Sequence, residues 1–154
     1  PPPVLALGVG CERHCEPDEL IKLATETLAE NGLSAQSVAC VASIDLKADE
    51  AAVHALADHL GVPARFYDAA TLEAEAPRLA NPSDIVFAET GCHGVAEGAA
   101  LATIGTNGTL IVSKQKLKRA TCAIGLSIDD IDPLQSGRPQ GRLSIVGIGP
   151  GQPD

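Results

Sequence analysis

The chain has 154 residues, with 11 basic and 20 acidic side chains and a formal net charge of −9. This length corresponds to about one domain, and an apolar fraction of 45% supplies enough core to exclude global disorder. The acidic balance, the absence of Trp and the single Tyr argue against nucleic-acid binding, which uses cationic contacts to phosphate and aromatic stacking on bases. No apolar run reaches the roughly 18 residues of a membrane helix, and the start lacks the pattern of a signal peptide, so we expect a cytoplasmic protein without membrane partners.

Short apolar runs predict the strands. Residues 4–10 and 38–44 are uninterrupted runs typical of strands buried on both faces, and residues 64–67 predict a third, shorter strand. Residues 109–114 and 119–128 predict an antiparallel pair. Helical patterns separate the first three runs, so the sequence predicts an α/β fold, a three-layer α/β/α sandwich with a mixed, largely parallel sheet. In such a fold the ligand site lies where strands end and helices begin.

Helices are predicted between these runs. The first begins at Pro17, a residue suited to the first helical position, and ends at Asn31-Gly32. The second has Asp49 as its expected cap and ends at Gly61. Shorter helices are predicted over residues 69–76, 85–88 and 95–102, with a strand as the alternative for residues 85–88.

The loop after the first strand is a candidate ligand-binding segment. Gly8 and Gly10 allow close approach of the backbone to a ligand, and Cys11 follows them. Arg13 can pair with a carboxylate, and amides at the start of the next helix favour anions. The loop lacks the third glycine of the dinucleotide fingerprint and the lysine of a P-loop, which excludes both nucleotide motifs. The alternative is a tight turn with surface charges.

Two further segments carry candidate polar residues. Asp45 stands at the end of the second strand, where catalytic and binding groups usually lie, and Lys47 follows it. Their alternative roles are to bond loop amides and to be solvated, respectively. Thr90 and Gly91 precede a helix whose amides can hold an anionic group, and Glu97 within that helix is either functional or part of a structural ion pair.

A basic run spans residues 114–119 of this acidic chain. Lys114 and Lys116 are its candidate ligand-binding residues, because local positive charge attracts carboxylates. The alternative is a solvated hairpin turn.

The five cysteines are predicted to be free thiols, since their number is odd. Cys40 and Cys122 fall in apolar runs and are expected in the core. The spacing of Cys11, Cys15 and Cys92 relative to the histidines is a poor match to zinc sites, so no metal site or cofactor is predicted. A small redox or metal protein that uses these three cysteines is the alternative outside the main interpretation.

Four segments, residues 8–13, 43–50, 90–100 and 114–124, together resemble one family. It comprises the C-terminal domain of cobalt-precorrin-5A hydrolases (CbiG) and the free-standing CobE proteins, and the similarity covers about residues 4–126. The resemblance implies a role in cobalamin biosynthesis and a corrin or precorrin ligand that bears acetate and propionate carboxylates. It also implies other enzymes of the same pathway as partners.

The resemblance leaves two functions open. The first is an accessory or carrier protein that binds the tetrapyrrole without turnover, which is favoured because the N-terminal hydrolase portion of the family is missing. The second is a hydrolase that opens the precorrin-5A lactone and releases acetaldehyde, with Asp45 or Glu97 as general base for water.

The end of the chain changes in character. Residues 129–141 are polar and rich in turn formers, which predicts a linker. Residues 142–154 resemble the opening strand and glycine loop of tetrapyrrole methyltransferases that use S-adenosylmethionine. We therefore expect a family domain over residues 1–128, a linker, and the truncated start of a fused precorrin-3B methyltransferase-like domain.

Overall fold

The computed structural model describes residues 1–139 of the chain. The strands are β1 (Leu5–Cys11), β2 (Val38–Ile44), β3 (Ala64–Tyr67), β4 (Thr109–Lys116) and β5 (Ala120–Leu126). The helices are α1 (Pro17–Glu30), α2 (Ala51–Leu60), α3 (Ala69–Glu73), α4 (Asp84–Thr90) and α5 (Val95–Ile104). None of the helices in this part of the chain is long and apolar enough to cross a membrane. The expected methyltransferase-like start, residues 142–154, and the last two residues of the expected linker lie outside the described residues.

One five-stranded sheet organises the fold, with strand order β3-β2-β1-β5-β4. The pairs β1–β2 and β2–β3 are parallel, whereas β1–β5 and β4–β5 are antiparallel. Helices α1 and α2 pack on one face, while α5 lies on the other face with α3 against it. The predicted three-layer α/β/α sandwich and mixed sheet are confirmed, and the parallel part is the half formed by β1, β2 and β3.

The alternation of side chains along β1 explains how it is covered on both faces. Leu5, Leu7 and Val9 point into the core shared with α1 and α2. Gly8 faces α5, and a Cβ atom built on it would lie 1.9 Å from the carbonyl oxygen of Ala96. Helix α5 therefore packs directly on the backbone of β1, which brings its first turn close to the end of the strand.

Most helix boundaries match the sequence. Helix α1 begins at Pro17, α2 ends before Gly61 in the left-handed conformation, and residues 85–88 are helical as predicted. The cap predicted at Asp49 is wrong, because α2 begins at Ala51 and Glu50 occupies the N-cap position. The Asp49 carboxylate instead binds the Arg13 guanidinium, a long-range contact that outcompetes local capping.

Residues 136–138, near the end of the described part of the expected linker, lie against the outer edge of β3. Arg138 forms an isolated antiparallel bridge with Phe66, through backbone hydrogen bonds in both directions. The buried Arg65 side chain donates to the carbonyl oxygens of Ser136 and Gly137, each at 2.7 Å. The Tyr67 hydroxyl also hydrogen-bonds the Ser136 hydroxyl. These contacts cover an exposed edge strand, which natural sheets commonly protect.

The close contact between Gly8 and α5 predicts that adding one methyl group at this position lowers the free energy of unfolding strongly. Gly8→Ala should destabilise the fold by about 3 kcal/mol or more, because its Cβ meets rigid helix backbone. Gly10→Ala is the control, since its Cβ meets the movable Thr121 hydroxyl at 2.8 Å and should cost about 1 kcal/mol. Urea unfolding of the two variants measures the difference, and equal costs would contradict the direct packing of α5 on β1.

Candidate functional site

A cleft of about 640 Å³ opens at the edge of the sheet where β1 and β4 end and β5 begins. Its lining comes from the loop after β1, the turn after β2, helix α4 with its flanking segments, the first turn of α5 and the β4–β5 hairpin. A volume of this size falls within the range of small-molecule sites. The site thus lies where strands end and helices begin, as the fold class predicts.

The cleft brings together most of the residues singled out from the sequence. The predicted residues that line it are Gly10, Cys11, Arg13, Lys47, Thr90, Glu97, Lys114 and Lys116. Gly8 does not line the cleft, since it packs beneath α5, and Gly91 is the left-handed residue that ends α4. Asp45 begins a 3₁₀ turn beside the cleft, and its side chain makes no hydrogen bond or ion pair within residues 1–139.

The cleft is cationic although the chain is acidic. Six of the 11 basic residues line it, namely Arg13, Lys47, Lys114, Lys116, Lys118 and Arg119. The lining carboxylates are Glu12, Glu89 and Glu97, so positive charges outnumber negative ones by six to three. Within residues 1–139, no carboxylate lies within 4 Å of the cationic groups of these residues except at Arg13. Five cations are therefore available to a ligand.

A β-bulge shapes the cationic hairpin. Val112 pairs with Ile124 and Gln115 with Cys122, so β4 advances three residues while β5 advances two. The backbone amide of Lys114 donates to Oε2 of Glu97 at 2.7 Å. The bulge thus diverts this amide away from the sheet, and the strand beyond it carries Lys116 into the same cleft.

Glu97 is buried, with 2% of its surface exposed, and all its acceptor positions are used. Oε1 accepts from the amides of Ala80 (3.0 Å) and Asn81 (2.9 Å), and Oε2 accepts from the Asn81 side chain (2.9 Å) and from the Lys114 amide. Burial acts to raise the pKa of Glu97, but these hydrogen bonds outweigh it and hold the pKa below its usual value. Because its acceptor positions are filled and its pKa is lowered, the Glu97 carboxylate is poorly suited to the predicted roles of general base or ligand contact.

Arg13 lines the cleft but is engaged within the protein. Its Nη1 lies 2.9 Å from Oδ1 of Asp49 and 3.4 Å from Oε1 of Glu50, and its Nη2 donates to the Leu46 carbonyl at 3.2 Å. The buried Glu50 also accepts from the His14 amide at 3.1 Å. These bonds join the loop after β1 to the turn that carries Lys47. Arg13 therefore positions the lysine instead of offering a free guanidinium.

The segment between α4 and α5 is braced by His93. Its amide donates to Oε1 of Glu73 at 2.8 Å, and its Nδ1 lies 2.7 Å from Oε2 of the same carboxylate. The ring stacks on Phe87 with centroids 4.4 Å apart. Gly94, the N-cap of α5, makes no side-chain cap, so the first-turn amides of α5 meet the cleft with the positive end of the helix dipole.

The cysteines offer little reactive chemistry. Cys40 and Cys122 are fully buried, as predicted, and all five thiols are free. Burial, assisted by the neighbouring Cys15, raises the pKa of Cys11 to about 12, so this thiol at the cleft wall stays protonated. Within the described part of the chain, no group of three or more His, Cys, Asp or Glu side chains has the arrangement of a metal site.

Several lining residues were not singled out from the sequence. Lys118 and Arg119 belong to the basic run, which was the available signal. Leu46, Ile85 and Val86 give the cleft an aliphatic part. Nothing in their local pattern distinguishes them from residues of an ordinary apolar face.

These features define a small α/β sandwich with a cationic cleft at one end of its sheet. The family model described as "Cobalamin synthesis G C-terminus" matches residues 5–125, and the chain belongs to this family of cobalamin-synthesis proteins. It is 57% identical over 120 residues to Protein CobE of Sinorhizobium sp, covering 78% of each chain.

Two other relatives extend the comparison. The chain is 35% identical to a cobalt-precorrin-5A hydrolase of Priestia megaterium over 81% of its own length, but it spans only 33% of that enzyme. A 1.7 Å crystal structure of CobE, titled as a protein from the cobalamin (vitamin B12) biosynthetic pathway, superposes with a TM-score of 0.76. Its sequence is 37% identical, and the match covers 84% of this chain and 92% of that one.

The Glu97 network predicts a pH-dependent contribution to stability. Glu97→Gln places an amide donor against backbone donors and should cost about 2–3 kcal/mol at neutral pH. Because folding lowers the pKa of Glu97, its contribution is complete above the ordinary carboxyl pKa of about 4.3 and is lost as the pH falls through the lowered value. The gap in unfolding free energy between parent and variant should therefore narrow below about pH 4.3.

Denaturant unfolding across this pH range measures the gap. Glu89→Gln serves as the control, because Glu89 is an exposed carboxylate of the same cleft, and it should leave stability within about 0.5 kcal/mol of the parent. A constant gap between parent and Glu97→Gln down to acidic pH would show that the ionised carboxylate is not what stabilises the site.

Proposed function

We propose that this protein binds a corrin or precorrin intermediate of cobalamin synthesis in the cationic cleft and acts as an accessory or carrier protein. The observation that carries the proposal is the convergence on one cleft of five cations that make no ion pair within residues 1–139, in a chain whose net charge is −9. Tetrapyrrole intermediates carry acetate and propionate carboxylates around the ring, which is the chemistry that such a cleft attracts. Membership of the cobalamin-synthesis family supports the choice of ligand.

Recognition in this proposal acts through the carboxylates at the rim of the ring. Charge-assisted hydrogen bonds from lysine and arginine to carboxylate are stronger than neutral ones, and the first turn of α5, which lines the cleft without a side-chain cap, adds backbone donors. Aromatic stacking contributes little, because the chain lacks Trp and Phe87 is already stacked on His93. The ligand therefore binds by its edge.

A carrier delivers its ligand to enzymes that act on it, so we propose enzymes of the same pathway as partners in the cytoplasm. The resemblance of residues 142–154 to the start of a tetrapyrrole methyltransferase makes a fused enzyme of that class one proposed partner. Nucleic acid remains an unsuitable partner, since the net charge is strongly negative.

Hydrolysis of the precorrin-5A lactone is less well supported by the site. Glu97 has no free acceptor position, and Asp45 lies outside the cleft lining. We expect that incubation of this protein with the lactone intermediate releases no acetaldehyde above a protein-free control. Acetaldehyde formed in proportion to protein concentration would favour the hydrolase instead.

Binding itself is tested by calorimetric titration with a corrin that bears free carboxylates. Lys116→Gln and Lys118→Gln should each weaken binding about threefold to tenfold, because each removes one cation from the cleft. The affinity of the parent should fall as salt is added, since part of the attraction is screened.

Lys22→Gln is the matched control, because Lys22 is exposed on α1 and outside the cleft lining. It should bind like the parent. Esterifying the carboxylates of the same corrin should abolish the dependence on Lys116 and Lys118. Absence of any binding to the free-carboxylate corrin, or equal losses in all three lysine variants, would refute the proposal.

A further inference from the structure

The cleft also has aliphatic side chains in its lining, in addition to the cations. Ile85 is 74% exposed and Leu46 is 51% exposed, and both side chains line the cleft with Val86. Single exposed aliphatic residues are common on protein surfaces. Here, however, two of them share one concave site with the half-buried Val86 and with five cations that make no ion pair within residues 1–139.

Helix α4, which carries Ile85 and Val86, does not bury these residues in the core. A short helix in a protein normally gains its stability by burying an apolar face. Yet α4 has no fully buried residue. It is held instead by polar bonds and one ring contact: the Ser83 hydroxyl accepts from the Val86 amide, the Ser83 amide donates to the His93 carbonyl at 2.8 Å, and Phe87 stacks on His93. Ile85 and Val86 are thus kept at the cleft without being used by the core.

The turn that carries Leu46 is likewise held by polar contacts of its backbone and of Asp49. Arg13 donates to the Leu46 carbonyl and pairs with Asp49 on the same loop. The backbone at Leu46 is therefore tied down while its side chain stays half exposed. The backbone that carries Leu46 and the backbone that carries Ile85 and Val86 are both held by hydrogen bonds. Less conformational entropy is therefore lost when a ligand covers these side chains.

We infer that Leu46, Ile85 and Val86 form an aliphatic subsite, and that the ligand is a polycarboxylate that also presents an uncharged aliphatic flank. The hairpin cations bind its carboxylates while α4 and Leu46 cover the flank. For the tetrapyrrole of the proposed function, on which this inference rests for the identity of the ring, the flank is an edge that carries methyl groups. The subsite then sets the orientation of the ring in the cleft.

The test separates the two parts of the cleft by their thermodynamic signatures. Burial of apolar surface makes the heat-capacity change of binding negative, whereas ionic contacts make the affinity depend on salt. In titrations of the full chain with a free-carboxylate corrin, Ile85→Ser should weaken binding about tenfold, or about 1.4 kcal/mol. It should also make the heat-capacity change less negative and leave the salt dependence unchanged. Lys116→Gln should instead reduce the salt dependence.

Two controls sharpen the experiment. Ile128→Ser alters an isoleucine of similar exposure, 68%, that is outside the cleft lining, and it should bind like the parent. Citrate supplies carboxylates without an aliphatic flank, so its weaker binding should respond to Lys116→Gln but not to Ile85→Ser.

The outcomes distinguish the subsite from the proposed function. If the parent binds the corrin with salt dependence but Ile85→Ser matches the parent, the subsite is refuted and the proposed function stands. If Ile85→Ser weakens citrate as much as the corrin, the residue acts through local structure and the subsite is also refuted. If the parent does not bind the corrin at all, the proposed function fails and the subsite falls with it.

Discussion

The buried carboxylate of Glu97 is the interaction on which the cleft depends. It joins three pieces of chain: helix α5, the segment at Ala80 and Asn81 that leads into α4, and the bulge of β4 at Lys114. Helix α5 contributes the carboxylate, and the other two pieces contribute the amides of Ala80, Asn81 and Lys114, which need an acceptor in the interior. One charge thereby places the helix with the aliphatic residues and the hairpin with the cations on the same opening. A neutral side chain of similar size has too few acceptor positions to do so.

The positive charge of the cleft results from how the fold arranges the basic residues and not from the composition of the chain, which is acidic. Over the whole chain, acidic residues exceed basic ones, yet in the cleft the balance is reversed. The lysines of β4 and its turn line one opening, beside the bulge whose Lys114 amide is bonded to Glu97. Arg13, the most conspicuous cation of the first loop, is neutralised by Asp49 and Glu50 and organises the wall. Local attraction for carboxylates therefore coexists with a net charge that repels anions at long range.

The sequence predicted the parts of the molecule that depend on local pattern. Buried strands such as β1 and β2 are continuous apolar runs, and helix ends such as Pro17 and Gly61 have local causes, so both were recoverable. The basic run led to the hairpin side of the cleft. The sequence does not predict which of several possible partners a polar side chain binds. Asp49 binds Arg13 instead of capping α2, and Glu97 accepts hydrogen bonds from amides instead of pairing with a cation. Such choices are decided by tertiary distances, to which a single sequence gives no access.

Residues 136–138 hold the end of the described chain against β3. Arg138 is bonded to Phe66 on β3, at one edge of the sheet, while the cationic hairpin ends β4 at the other. Four strand spacings of about 4.8 Å place these edges about 19 Å apart. The described part of the chain therefore ends at the edge of the sheet opposite to the cationic hairpin. None of residues 136–138 lines the cleft, so this edge of the sheet is covered while the opening beside the hairpin stays free of them.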